Sequence, residues 1–127
     1  MNAINWFEIP TVELGRAVTF YRHILGASMQ LATFGGIEHA FFDKVDKGGV
    51  SGALVRDPQR TPSDAGTLVY LAADGAPGGL DGVLARAAAS GGRVMLPKTA
   101  IGEHGWIGLV VDTEGNLVGF HGAPARA

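Results

Sequence analysis

The sequence predicts an α+β fold of two βαβββ modules with pseudo-twofold symmetry, whose curved mixed sheets surround a cleft. Three observations predict it. A strand-like run, a helical stripe and three further strand-like runs occur in that order, and then occur again. Landmarks match between the halves: Ile9 with Leu71, the helix stop Gly26 with Gly92, and the strand-ending Asp43 with Asp112. Residues 57–66, DPQRTPSDAG, are rich in turn formers and read as a linker between module one (1–56) and module two (67–127).

The first strand is Asn5–Pro10, NWFEIP, with aromatic and β-branched residues. Thr11 stands where a helix cap is expected. Leu14, Ala17, Val18, Tyr21 and Leu25 then recur at helical spacing over 13–25, and Gly26 ends the helix. Strands follow at 28–34, 38–43 and 50–55, separated by Gly35-Gly36 and by a turn at 44–49. Module two repeats this with a strand at 67–73 and a helix over 80–90 carrying Leu80, Val83, Leu84 and Ala87. Its remaining strands are 93–96, 105–111 and 117–121. Each module alone is too small to bury much surface, so the two pack as one domain spanning 1–127.

Composition narrows the function. With 127 residues and 46% apolar residues, the chain suits one globular core. A net charge of -2 offers no basic surface to nucleic acid or anionic lipid. The absence of cysteine removes disulfides, thiolate nucleophiles and thiolate metal sites. No apolar run is long enough to span a bilayer, and no signal peptide is evident, so a cytoplasmic protein is expected. No phosphate-binding glycine motif, serine-hydrolase elbow or calcium loop occurs. Asp112, Glu114, Gly115 and Asn116 read as a structural turn.

Two segments carry a family likeness. WFEIPTVELGRAVTFYRHILG resembles the opening strand, helix and turn of the vicinal oxygen chelate superfamily, which includes glyoxalases, bleomycin resistance proteins and extradiol dioxygenases. GEHGWIGLVVDTEGNLVGFHG resembles its closing hairpin, and the likeness to small glyoxalase-like bacterial proteins covers the chain. The resemblance implies a homodimer and a divalent metal held by four strand residues. Here those positions fall at Trp6, at or beside Leu68, near Gly52 and at Gly119. None of these side chains holds a metal. The usual metal site is therefore expected to be absent and the cofactor is left open, since Glu8, His121 and one further histidine could just supply the three ligands of a rearranged site.

Strand alternation points to a second layer. If Trp6 and Gly119 face the cleft, so do Glu8 and His121, while the repeat makes Tyr70 the counterpart of Glu8 and Leu54 approximately that of His121. Glu8 and His121 are the candidate catalytic pair, coupled across the cleft floor, with Glu8 as a base whose pKa burial would raise. The alternative turns Trp6 and Glu8 to solvent and buries Phe7 and Ile9. Trp6, Tyr70, Leu54 and His104 are the candidate ligand-binding residues, His104 from the glycine-flanked GEHGW loop. His39 is a lesser candidate, and His23, near a helix end, is structural. Two functions follow: a lyase or isomerase working without the usual metal, or a non-catalytic protein that sequesters a small molecule of the antibiotic type.

Overall fold

The computed structural model describes residues 2–43 and 49–124. Its order is β1 (Trp6–Pro10), α1 (Leu14–Leu25), β2 (Met29–Phe34), β3 (Ile37–Phe42), β4 (Ser51–Arg56), β5 (Tyr70–Ala72), α2 (Gly79–Ala89), β6 (Arg93–Ala100), β7 (Trp106–Val111) and β8 (Leu117–Gly122). Two four-stranded sheets result, ordered β1-β4-β3-β2 and β5-β8-β7-β6. In each, the first strand runs parallel to the last strand of its module and the other pairings are antiparallel. The repeated βαβββ order is thus observed as two mixed sheets with the same topology. The turn expected at 44–49 falls largely outside the described residues.

Alternation decides which face of each strand is buried. Phe7 and Ile9 on β1, Ala40 on β3, and Leu54 on β4 face the helix side of the first sheet. Leu71, Val110, Val118 and Phe120 do the same in the second. Both helices cover these faces, with Ala17, Phe20, Tyr21 and Ile24 from α1 and Leu80, Val83, Leu84 and Ala87 from α2. All but Phe7, which packs partly buried against it, belong to one buried cluster drawn from both modules, so neither module buries its apolar face alone. Gly26 ends α1 at φ 65, a left-handed conformation that glycine adopts without strain, and its N–H bonds the carbonyl of Arg22.

Three local expectations are corrected. Strand β6 runs on through Pro97 instead of stopping before it. It lies at the sheet edge, where the missing N–H costs little, and its register shifts on either side of Leu96. Strand β5 is only three residues long, and Thr67–Val69 precede it. Thr11 does not cap α1, since its hydroxyl donates instead to the carbonyl of Val55 at 3.0 Å.

The cap comes from the other module. Glu114, in the β7–β8 turn, accepts the N–H of Val12 at 2.8 Å and of Glu13 at 2.7 Å, and Nε of Arg16 donates to it at 2.7 Å. In the same turn Asp112 accepts the hydroxyl of buried Tyr21 at 2.6 Å, and Asn116 donates to the carbonyl of Pro10 at 2.8 Å. The residues that shape this turn therefore also join the modules.

Candidate active and ligand-binding site

The helix-facing side of the first sheet carries one aromatic cluster, in which Phe7 and Tyr21 both pack on Phe42. The opposite, open face carries a second that the core does not need. Trp6 and Phe41 lie 5.8 Å apart, Phe34 and Phe41 6.0 Å, and His39 stacks on Phe41 at 5.4 Å with 13° between the rings. Trp6 and Phe34 are 45% and 59% exposed, which is unusual for large apolar rings and marks a contact surface.

Glu8 stands among these rings. Trp6 Nε1–H donates to its Oε2 at 3.3 Å, and the same oxygen lies 4.0 Å from Nε2 of His39. The register explains the meeting: Glu8 pairs with Ala53, which pairs with Phe41, and His39 is two residues before Phe41 on the same face. Ala53 is small enough to leave a floor over which Glu8 and His39 reach each other. The side chain of Glu8 remains 40% exposed, so the burial expected of it is not present.

Glu8 and His121, the expected pair, lie on different sheets. Among the described residues no hydrogen bond or ion pair joins them. His121 belongs to the second sheet, where its Nε2–H donates to the carbonyl of His104 at 2.6 Å. The side chain of His104 itself is 77% exposed, beyond a short 3-10 turn at Gly102–His104. Tyr70 lies beside Gly119, on the face of the second sheet away from the core, with His121 two residues beyond Gly119. Leu54 is corrected: it is fully buried in the core cluster against Ile9 and Ala40. Its neighbour Val55 points to the other face of the sheet, because a shift of one residue reverses direction, but it too is buried.

His39 is the residue that sequence reasoning undervalued. Its spacing from Phe41 already placed both on one face, but nothing local showed that β4 would seat that face beside β1.

A metal at the family positions does not fit these residues. A side chain at Gly119 would meet the Tyr70 ring, whose nearest carbon is 2.3 Å from the place of a Cβ. Glu8 pairs with Ala53 as Tyr70 pairs with Gly119, so the first module's counterpart of Gly119 is Ala53, and Gly52 instead meets Phe7. Among the described residues no three His, Cys, Asp or Glu side chains converge.

Three hollows differ in size and place. One of about 590 Å³ runs along Asn2–Trp6 to Gly49 and Val50, and so opens beside Trp6. One of about 80 Å³ next to Glu8 is too small for an organic ligand. An apolar one of about 430 Å³ lies at the module seam between Phe7, Phe42 and Leu71.

Comparison with known proteins agrees with the fold. A glyoxalase/bleomycin resistance protein from Albidiferax ferrireducens T118 superposes with a TM-score of 0.72 at 16% identity, over 97% of this chain and 100% of that one. An antibiotic binding protein from Streptomyces sp. CB03234 gives 0.67 at 19% identity, over 98% of each chain. A genomically encoded fosfomycin resistance protein from Listeria monocytogenes gives 0.66 at 13% identity, over 100% of this chain and 95% of that one. No curated protein matches the sequence. The family profile matches residues 3–120, and the chain belongs to the Glyoxalase/Bleomycin resistance protein/Dioxygenase superfamily.

Proposed function

We propose that the chain binds a small, largely apolar organic molecule on the open face of the first sheet, without the metal-dependent chemistry of its superfamily. The observation that carries this reading is the group of exposed Trp6 and Phe34 with half-buried His39 and Phe41 around the single carboxylate of Glu8. Aromatic faces hold flat apolar groups, and one polar side chain fixes their orientation. Tyr70 and His121 are what the second module offers to the same ligand. Structural neighbours described as antibiotic-binding and fosfomycin-resistance proteins support a ligand of that general kind. The reading includes a cytoplasmic homodimer. Light scattering at micromolar concentration should give twice the chain mass, and a monomeric mass refutes the dimer.

A thermal-shift screen of small aromatic compounds tests the binding. Ligands should raise the unfolding midpoint by several degrees, and Trp6→Ala or Phe41→Ala should abolish the shift. Ligands that shift all three proteins equally would overturn the assignment of the site.

Glu8 and His39, 4.0 Å apart, favour a second reading, metal-free proton transfer in a lyase or isomerase. It requires a ligand that is converted rather than recovered, and Glu8→Gln must stop conversion while leaving binding intact.

A further inference from the structure

The hydrogen bonding of His39 fixes what its free edge offers. Nδ1 lies 2.9 Å from the carbonyl oxygen of Ile37. A carbonyl only accepts, so Nδ1 carries the proton and, in the neutral ring, Nε2 presents a lone pair. That lone pair stands 4.0 Å from the carboxylate oxygen of Glu8. Two acceptors thus face one another above Ala53, flanked by Trp6 and Phe41. Among the described residues no lysine or arginine is within ion-pair distance of Glu8. The missing partner is a donor, and a positively charged one is favoured twice, by the carboxylate and by the negative faces of the rings. Spacing narrows its shape. One tetrahedral nitrogen making two hydrogen bonds of about 2.9 Å reaches acceptors roughly 4 to 5 Å apart.

We infer that the ligand is an organic ammonium ion, an amine cation borne on a flat apolar ring, whose nitrogen bridges Glu8 and His39 while the ring lies on Trp6 and Phe41. This rests on the binding reading above and adds the charge and donor type. It also gives the exposed carboxylate a role other than solvation.

Three probes of equal shape test it: 1-naphthylmethylammonium, neutral 1-naphthalenemethanol and anionic 1-naphthoate. The chain has two tryptophans, so Trp106→Phe assigns the indole N–H signal of Trp6 in a nitrogen–proton correlation spectrum, and that signal is followed during each titration. The ammonium should bind at least tenfold more tightly than the alcohol, and the carboxylate most weakly. Glu8→Gln keeps the shape and should shrink the preference to less than threefold while alcohol binding persists. His39→Phe keeps a ring against Phe41 and should weaken the ammonium more than the alcohol. If the three probes bind equally, or Glu8→Gln keeps the preference, the charge inference fails and the aromatic site stands. If none moves the Trp6 signal, the binding reading and the inference fall together.

Discussion

Glu114 accepts the backbone N–H of Glu13 at 2.7 Å although the two are 101 residues apart, so the first turn of α1 is capped by the opposite module. Glu13, which occupies the cap position, makes no side-chain cap of its own. Capping normally joins neighbours in sequence, whereas here it joins module two to module one. A carboxylate at a helix N-terminus also meets the positive end of the helix dipole.

Replacing Glu114 by Ala should therefore destabilise the fold by about 2 kcal/mol, at the upper end of the range for losing an N-cap. Arg16 adds little, because its side chain is 45% exposed and its ion pair is screened. Glu13→Ala should cost less than about 0.5 kcal/mol, since it loses only an exposed pair with Arg16. Urea unfolding of the two variants checks the contrast.

Stability should fall in acid. Burial alone would raise the pKa of Glu114, but bonds from Arg16, the N–H groups of Glu13 and Val12, and Thr113 outweigh it and hold the carboxyl below its ordinary range. The folded state then binds the proton more weakly than the unfolded state. The contribution of Glu114 is present above its unfolded pKa of about 4.3 and is lost as pH falls through the folded value. A pH series of urea midpoints should show this slope in the parent and a reduced slope in Glu114→Gln.

The alkaline limb belongs to Tyr21. Burial, and then the charge of Asp112, push its phenol well above the usual range. A raised pKa favours the protonated form in the folded state, so this contribution is complete below about pH 10 and fades as pH rises toward the folded value. Tyr21→Phe should lose roughly 1.5–3 kcal/mol at neutral pH, the worth of a hydrogen bond to a charged group. It should also flatten the alkaline decline attributable to this residue, as measured by unfolding at pH 8 to 11.

Divalent metal should not matter to the fold. A site loaded at 100 times its dissociation constant would add about 2.7 kcal/mol. Unfolding midpoints with chelator and with micromolar zinc or manganese should agree within about a degree. A rise of several degrees would show that side chains rearrange to make a site.

Leu54→Ala should act on stability and leave ligand affinity unchanged. The side chain is fully buried in the shared core, and such truncations cost about 2–5 kcal/mol. Chemical unfolding combined with a titration of the aromatic probes separates the two effects.

The local patterns were legible in the chain. Period-two alternation, helical stripes at 14–25 and 80–87, and glycines at the stops gave the repeated βαβββ order, because each depends on residues within a few positions. The resemblance of the opening and closing segments gave the family, and Trp6 and Gly119 already spoke against its metal. Alternation also carried Glu8 to the same face as Trp6.

Tertiary structure decided what crosses between elements. Strand order brought His39, and not His121, to Glu8, because β4 lies between β1 and β3 while β8 belongs to the other sheet. One position of register sent Leu54 into the shared core and Val55 to the opposite side of the sheet. The capping role of Glu114 had no local signal at all. Its acceptor oxygens are satisfied by N–H groups about a hundred residues away, and only docking the two modules places that carboxylate at the start of α1. Local conformation depends on adjacent residues, whereas a site assembled across strands and a cap supplied across modules depend on register and docking, which no short stretch of sequence encodes.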